Sequence, residues 1–173
     1  MVGGLNDKKT RNTLAGNPNS GKSTVFNAIT GARQHVGNWP GKTIEKKGGT
    51  YKHGDLEIQV VDLPGTYSLT AYSLEEVIAR DYIIEEKPDV VIDVVDAANL
   101  ERNLYLAIQI LELNIPLVIA LNMSDIADSR GLKIDTEMLA KGLKNTPVVT
   151  TVANKGKGIH ELIHEAVLTA AAK

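Results

Sequence analysis

The segment GNPNSGKS, at residues 16–23, constrains the fold of this chain more than any other feature. It matches the pattern G-x-x-x-x-G-K-[S/T], in which the backbone N–H groups of a loop surround phosphate groups. Such a loop needs a strand before it and a helix after it. We therefore predict a strand over residues 11–15, although that stretch is mostly polar, and a helix over residues 23–30.

Apolar stretches and helical patterns alternate along the rest of the chain. Three stretches are short and β-branched, which indicates strands that are buried on both faces and therefore parallel. They lie at residues 90–95, 115–121 and 147–152, and helical patterns cover residues 73–86, 100–113, 136–144 and 158–171. This alternation predicts a doubly wound α/β fold with helices on both faces of the sheet.

One pair of strands breaks the alternation. Residues 44–51 and 56–63 both have strand character, and only the turn-like residues Lys52-His53-Gly54-Asp55 separate them. A connection this short cannot hold a crossover helix, so the two strands should be antiparallel neighbours. We predict a mostly parallel six-stranded sheet with one antiparallel edge strand, which is the layout of Ras-like P-loop GTPases.

Length, charge and residue usage exclude several classes of protein. The chain has 173 residues, which suits one domain with a single large core, and we expect residues 11–173 to form it after a flexible segment of residues 1–10. A net charge of −2 gives no general attraction to nucleic acid. There is no cysteine, which excludes disulfides and thiolate metal sites. The most apolar run, residues 104–123, contains polar residues and Pro116, which indicates a helix, a turn and a strand rather than a membrane span.

A second motif, Asp62-Leu63-Pro64-Gly65, ends an apolar strand downstream of the phosphate loop. In a D-x-x-G motif the carboxylate holds Mg²⁺ through water and the glycine N–H touches the γ-phosphate. Within the loop itself, Lys22 would reach the β- and γ-phosphates and the Ser23 hydroxyl would bind Mg²⁺. The two motifs together predict a site for a Mg²⁺–nucleoside triphosphate.

Residues 31–43 form a glycine-bearing stretch that we expect to be a flexible loop. Such a loop can close on Mg²⁺ when the γ-phosphate is present, and Thr43 would then bind the metal beside Gly41. Arg33 is a further candidate for a cation that reaches the phosphates. The residue after Gly65 is Thr66, at the position where Ras-like enzymes carry the Gln that orients the attacking water.

The segment Asn122-Met123-Ser124-Asp125 follows a predicted strand and is suited to binding a base. A carboxylate at Asp125 can accept hydrogen bonds from guanine N1–H and N2–H₂, whereas adenine presents an acceptor at N1. A base that leaves a buried polar group of the protein unpaired is bound much more weakly. This segment therefore predicts selection of GTP over ATP. Met123 stands where related proteins usually have Lys, and Val152-Ala153-Asn154 occupies the position of the second base-contacting loop.

His160-Glu161-Leu162-Ile163-His164 matches the H-E-x-x-H pattern of zinc proteases. No Glu or His follows at a position suited to a third ligand. Apolar residues recur at helical spacing through this segment, so we interpret it as an ordinary amphipathic terminal helix. Binding of a metal by the two histidines alone stays open.

The order of the motifs and the residues in them resemble those of one family. GNPNSGKST, VGNWPGKTIEKKGG, VVDLPGTYSL, IARDYI, VVDAANLERNLYL and ALNMSD occur in that order and are similar to the N-terminal G domain of the ferrous iron transporters of the FeoB family. The resemblance extends from about Gly16 to the terminal helix. The sequence departs from it in the polar first strand, in Lys42 and in Val152.

The resemblance implies a GTPase that acts in Fe²⁺ uptake. It implies K⁺ beside the phosphates, held by Asn19, where the charge of an arginine finger would otherwise lie. It also implies that helical and membrane domains of the same transporter are partners, that the chain is the soluble part at the cytoplasmic face of the membrane, and that it self-associates with nucleotide.

The site predicted from the motifs and the resemblance has four groups of members. The nucleotide would be bound by Asn17, Pro18, Asn19, Ser20, Gly21, Lys22, Ser23, Thr24, Gly41, Thr43, Asp62, Gly65, Asn122, Met123, Asp125, Val152, Ala153 and Asn154. Catalysis would depend on Asn19, Lys22, Thr43 and Gly65, Mg²⁺ on Ser23, Thr43 and Asp62, and K⁺ on Asn19. Two other functions stay open, a K⁺-using GTPase that serves RNA and a nucleotide switch that does not hydrolyse, and the low net charge disfavours the RNA partner.

Overall fold

The computed structural model of the protein describes residues 9–172, so most of the predicted flexible segment of residues 1–10 lies outside the described residues. The strands are β1 (Thr10–Gly16), β2 (Gln34–Asn38), β3 (Glu45–His53), β4 (Leu56–Asp62), β5 (Val90–Asp96), β6 (Leu117–Asn122) and β7 (Val148–Thr150). The helices are α1 (Lys22–Thr30), α2 (Leu74–Glu86), α3 (Leu100–Glu112), α4 (Ser124–Ser129), α5 (Thr136–Gly142) and α6 (Ile159–Ala171). Every strand and helix predicted from the sequence is present.

The seven described strands form one sheet in the order β2-β3-β4-β1-β5-β6-β7. β1 pairs in parallel with β4 and β5, and the parallel pairing continues through β6 to β7. β3 runs antiparallel to β4, as predicted. The Ras-like α/β fold class is confirmed.

The predicted number of six strands is wrong, because residues 34–38 form β2 rather than part of a loop. β2 pairs antiparallel with β3, from Gln34 opposite Gly49 to Asn38 opposite Glu45, and it is the true edge of the sheet. All five β2 residues are exposed. A strand with no buried face carries no alternation of apolar and polar residues, so no pattern in the sequence indicates β2.

The polar character of β1 is compatible with a central position because several of its polar groups are paired, although the Asn12 side-chain oxygen has no hydrogen-bond partner within residues 9–172. Asn12 is 1% exposed, and its side-chain amide donates to the Tyr51 hydroxyl at 2.8 Å. The backbone N–H of Arg11 donates to the Asp89 carboxylate at 2.8 Å, and its guanidinium bonds to the Glu86 carbonyl. Buried polar groups that are hydrogen-bonded cost little, so β1 needs fewer apolar side chains than its neighbours.

The helices cover both faces of the sheet. One cluster of buried side chains joins the sheet to α1 and α6 and includes Phe26, Ile58 and Leu162. The other joins it to α2 and α3 and includes Ile83 and Leu106. This layering leaves the carboxyl edge of β1, β4, β5 and β6 open for a site. No helix within residues 9–172 has the length and the apolar character needed to cross a bilayer.

The one charged residue inside β5 does not disturb its burial. Asp93 is 1% exposed, and burial raises the pKa of its carboxyl to about 8. At neutral pH the carboxyl is therefore mostly protonated and carries no charge. β5 thus behaves as the fully buried strand that its β-branched neighbours predict.

Candidate nucleotide site

The phosphate loop connects β1 to α1 and depends on two left-handed backbone positions. Asn19 has a φ of 66° and Gly21 a φ of 89°. A Cβ atom at Gly21 would collide with the side-chain nitrogen of Asn122, so only glycine fits there. Ser23 and Thr24 follow in the first turn of α1, where both are exposed. The loop lines an open pocket of about 430 Å³.

Lys22 and Asp62 contact each other at the centre of the site. The Lys22 ammonium lies 2.5 Å from the Asp62 carboxylate, and the two side chains are 10% and 7% exposed. Burial raises the pKa of Asp62, and the neighbouring Lys22 charge opposes that rise. Phosphate oxygens would attract the lysine and a divalent cation would attract the carboxylate, so both partners of this pair suit a Mg²⁺–nucleotide.

The D-x-x-G segment lies directly against the phosphate loop. The Leu63 N–H donates to the Leu14 carbonyl and the Thr66 N–H to the Gly16 carbonyl, each at 3.0 Å. A Cβ atom at Gly65 would lie 3.4 Å from the Cα of Pro18, so the two loops are in van der Waals contact. The structure therefore places Asp62 and Gly65 beside the phosphate loop.

The loop expected to carry Thr43 to the metal lies apart from the phosphate loop. Gly41 and Thr43 are exposed, and neither lines the pocket around residues 17–23. Residues 39–42 form a turn in which the Lys42 N–H donates to the Trp39 carbonyl at 2.9 Å and Gly41 has a φ of 68°. Pro40 and Gly41 are the residues that a type II turn favours at its two central positions. This part of the predicted site is not assembled.

Arg33, the other cation considered for this loop, contacts the edge of the sheet through its backbone. The Arg33 carbonyl accepts from the Thr50 N–H at 3.1 Å, one residue before β2 begins. Arg33 is exposed and does not line the pocket around the phosphate loop. Nothing in its position supports a role at the phosphates.

A second pocket, of about 100 Å³, gathers the residues predicted to bind the base. Its lining comprises Gly21, Thr24, Asn122, Met123, Asp125, Ile126, Val152, Ala153 and Asn154. These residues come from the phosphate loop, from the turn after β6 and from the turn after β7. Three segments that are far apart in sequence thus converge on one pocket beside the phosphate loop.

Asn122 holds these segments together. Its side-chain nitrogen donates to the Ser20 carbonyl at 3.1 Å, and its side-chain oxygen accepts from the Thr151 hydroxyl and the Ala153 N–H, at 3.0 and 3.1 Å. It is 3% exposed. Because the amide already bonds to protein on both sides, its role is to position the base pocket around residues 20–24 and 151–153.

The remaining base-pocket residues keep groups available for a ligand. The Asp125 carboxylate lies 3.6 Å from the Lys155 ammonium and its side chain is 38% exposed. The Met123 methyl group lies beside Gly21 of the phosphate loop, at the position where related proteins usually have Lys. Lys155 was missed in the sequence analysis, although it directly follows the segment Val152-Ala153-Asn154.

Sequence reasoning also missed a polar pocket on the other side of the phosphate loop. It has a volume of about 120 Å³, and its lining comprises Asn17, Pro18, Asn19, Tyr67, Asp96, Asn99, Arg102 and Asn103. The Asn17 side chain is 3% exposed, and its oxygen has no hydrogen-bond partner within residues 9–172. The string NLERNLY marks this region in the sequence, but no general motif assigns it a role.

His160 and His164 line neither the pocket around the phosphate loop nor the base pocket. His160 and His164 are on α6, whose buried face includes Ile159, Leu162 and Ala166, so the amphipathic helix is confirmed. The ring of His53 lies 6.1 Å from the first and 5.8 Å from the second. Within residues 9–172, no three potential ligands are grouped so that they could hold a metal ion.

Comparison with known proteins identifies the family. Residues 10–166 match the family described as Ferrous iron transport protein B. The chain belongs to this family. The Fe(2+) transporter FeoB of Salmonella typhimurium is 53% identical over 159 residues, which cover 90% of this chain. They cover 20% of that relative, so the chain spans about a fifth of the length of the curated relatives that it matches.

Solved structures of FeoB proteins share the fold. A mutant of S. thermophilus NFeoB bound to GDP is 47% identical with a TM-score of 0.89, and the match covers 95% of this chain and 64% of that one. The FeoB G-domain of Methanococcus jannaschii is 46% identical with a TM-score of 0.84, over 95% and 99% of the two chains. The cytosolic domain of T. maritima FeoB in GMPPNP form is 45% identical, with a TM-score of 0.90 over 93% and 64%.

Proposed function

We propose that this chain binds GTP with Mg²⁺ and slowly hydrolyses it to GDP and phosphate, as the regulatory domain of a ferrous iron transporter. The observation that carries the proposal is the position of the phosphate loop between the Lys22–Asp62 pair and the pocket that contains Asp125. A ligand that spans both needs phosphates at one end and a base at the other. The relative from S. thermophilus that is bound to GDP supports a guanine nucleotide.

The base pocket selects guanine through Asp125. Its carboxylate accepts from N1–H and N2–H₂ of guanine, and Lys155 orients it from 3.6 Å away. Asn122 keeps the walls of the pocket in place, and Met123 covers one side of the base with a flexible apolar chain. Neither Met123 nor Val152 offers a polar contact, so we propose that GDP is released readily.

The residues around the phosphates have the chemistry that Mg²⁺ requires. Ser23 and Asp62 supply oxygen ligands, which this hard cation prefers, and Asp62 is already next to the lysine that the phosphates would attract. When bound, Mg²⁺ neutralises charge that develops on the β- and γ-phosphates. Thr43 joins this set only if residues 40–43 move from their exposed position toward the phosphate loop.

The missing Gln is replaced by a charge and by backbone groups rather than by Thr66. The Thr66 side chain is 5% exposed and its N–H bonds to the Gly16 carbonyl, so the residue stabilises the loop instead of reaching for water. Asn19 is exposed, has a left-handed backbone conformation and lines the pocket around the phosphate loop, and its side-chain oxygen suits K⁺. When bound, K⁺ supplies positive charge where an arginine finger would act.

The remaining four fifths of a full-length relative would contain the partners of this chain. We propose that they comprise a helical domain and a membrane domain, and that this chain lies at the cytoplasmic face of the membrane. Nucleotide-dependent self-association belongs to the same proposal. The proposed location at the cytoplasmic face rests on membership of the family and on the cytosolic domains described for L. pneumophila and T. maritima FeoB.

Single-turnover hydrolysis in K⁺ and in Na⁺ tests the chemistry. Loss of one transition-state electrostatic contact costs on the order of 10²-fold. Asn19→Ala should therefore remove the K⁺ stimulation while the slow Na⁺ rate remains, and Thr66→Ala should change kcat by less than about tenfold. An inactive Thr66→Ala protein beside an Asn19→Ala protein that still responds to K⁺ would reverse the assignment. A wild-type chain that binds GTP but shows no turnover in K⁺ would identify a non-hydrolysing switch.

Calorimetry with two nucleotides tests the base pocket. Asp125→Asn should weaken GTP binding and favour xanthosine triphosphate, because the C2 carbonyl of xanthine accepts from the new amide. A charged hydrogen bond contributes about 1.5–3 kcal/mol, which corresponds to a loss of roughly 10- to 150-fold for GTP. Equal affinity of wild type and variant for GTP would remove Asp125 from the site.

A further inference from the structure

Arg102 contacts both loops that surround the phosphate site. Its guanidinium carbon lies 4.5 Å from the centre of the Tyr67 ring, a cation–π contact. Its backbone carbonyl accepts from the side-chain nitrogen of Asn17 in the phosphate loop, at 3.5 Å. One residue of α3 thus connects the phosphate loop with the segment that continues from the D-x-x-G motif.

The first turn of α3 presents Arg102 from a fixed position. Asn103 is 5% exposed, its side-chain oxygen accepts from the Asp96 N–H at 3.2 Å, and its nitrogen donates to the Asn99 carbonyl at 2.8 Å. The Asp96 carboxylate accepts from the Ala98 N–H at 2.9 Å and from the Asn99 side chain at 2.8 Å. These bonds restrain the backbone on both sides of Arg102. Arg102 can therefore restrain the position of the Tyr67 ring.

Tyr67 lies between two anchored residues of the D-x-x-G segment. Before it, the Thr66 N–H bonds to the phosphate loop at 3.0 Å, and after it, the Leu69 N–H donates to the Gln109 side chain at 2.7 Å. The Tyr67 side chain is itself 42% exposed, so burial alone does not fix it. The contact with the Arg102 guanidinium is a further restraint on this partly exposed ring.

We propose that Arg102 is a positioning residue for hydrolysis. Through Tyr67 it fixes residues 65–67 against the phosphate loop, where backbone groups are required to place the attacking water. This inference rests on the proposed GTPase function, and it gives a role to the NLERNLY string that no general motif supplies. Arg102 acts through Tyr67 and does not need to touch the nucleotide.

Amide hydrogen exchange of the nucleotide-free chain tests the contact independently of turnover. Arg102→Ala and Tyr67→Leu should both accelerate exchange in residues 66–69, whereas Tyr67→Phe keeps the ring and should exchange like the wild type. Tyr72→Leu is the matched control, because it removes a tyrosine ring that is 93% exposed in the next turn of chain. Unchanged exchange in Arg102→Ala would overturn the proposal, whether or not the chain hydrolyses GTP.

Single-turnover hydrolysis in K⁺ then measures the consequence for the reaction. Arg102→Ala and Tyr67→Leu should each lower kcat by about two- to fivefold, the rate equivalent of an exposed cation–π contact, with unchanged GDP affinity. The double variant should be no slower than the slower single variant, since both remove the same contact. Additive effects would overturn the proposal. So would a loss near 10²-fold in Arg102→Ala alone, because that would make Arg102 a direct phosphate ligand.

Discussion

The two segments predicted to enclose the metal side of the nucleotide differ sharply in how they are held. Residues 62–69 bond to β1, to the phosphate loop and to α3, and Asp62, Leu63, Thr66 and Leu69 are all buried. In residues 34–43 every residue is exposed except Trp39. The first segment is held by buried side chains and by hydrogen bonds to three elements, whereas the second is held by the backbone pairing of β2 with β3 and by one buried side chain, that of Trp39. A nucleotide-dependent change is therefore expected in the second segment.

Trp39 is the anchor of that second segment. Its ring is 6% exposed, packs at 5.5 Å against the edge of Tyr82 and lies under the Lys46 ammonium at 4.7 Å. The backbone N–H of Trp39 donates to the Ile44 carbonyl at 2.9 Å, which closes the turn of residues 39–44. Trp39 is thus the one buried side chain of this segment, and it adds to the backbone pairing of β2 with β3.

The largest expected effect comes from removing this anchor. Trp39→Ala should lower the free energy of unfolding by about 3–5 kcal/mol, the usual cost of deleting a large buried aromatic side chain. Urea denaturation measures it, with Val36→Ala as the control because Val36 is 61% exposed in the same segment. The control should stay within about 0.5 kcal/mol of the wild type. Equal stability of the two variants would mean that the segment has no anchor.

The next effect concerns the first segment. Gln109→Met keeps the shape of the side chain but removes the acceptor of the Leu69 N–H, which then lacks a partner in a part-buried position. The expected loss of unfolding free energy is about 1–3 kcal/mol. Gln109→Glu retains the acceptor oxygens and should lose much less in the same denaturation experiment. A Met variant as stable as the Glu variant would show that this bond does not hold the segment.

A smaller effect is expected at Lys46, which strengthens the Trp39 anchor from outside. Lys46→Met should cost about 0.5–1 kcal/mol, the contribution of a cation–π contact near the surface. Lys52→Met is the matched control, since Lys52 is an exposed lysine on the same strand. If both substitutions have the same effect on the urea midpoint, the ammonium adds nothing to the anchor.

The last effect is spectroscopic and compares the segments directly. Trp39 is the only tryptophan, so its emission reports on the second segment alone. The emission should differ between the GDP complex and a complex with a non-hydrolysable GTP analogue and Mg²⁺, because Thr43 has to move toward the metal. Amide exchange in residues 66–69 should remain the same in both complexes. Identical spectra, with binding verified separately, would argue against movement near Trp39.

The local patterns of the sequence were enough to predict most of the fold. Strong signals, such as the β-branched run of β5 and the N-capped helix α2, depend only on residues that are close in the chain. The predicted ends of these elements therefore agree with the structure to within a few residues. β2 was missed because it buries neither face, and its only support is hydrogen bonding to β3. The polar β1 was predicted only because the phosphate loop requires a strand before it, since its partners Tyr51, Glu86 and Asp89 are distant in sequence.

The sequence by itself determined which residues are the candidates for the phosphate and base chemistry, because glycine positions, a lysine and carboxylates in fixed spacing have few other uses. Only the tertiary structure decided how those residues are held. It made Asn122 a link between three segments and placed Arg102 against Tyr67, and it left Thr43 outside the site. The physical reason is that a motif specifies chemistry within a few neighbouring residues. Contacts between distant segments depend on the packing of the whole sheet and its helices.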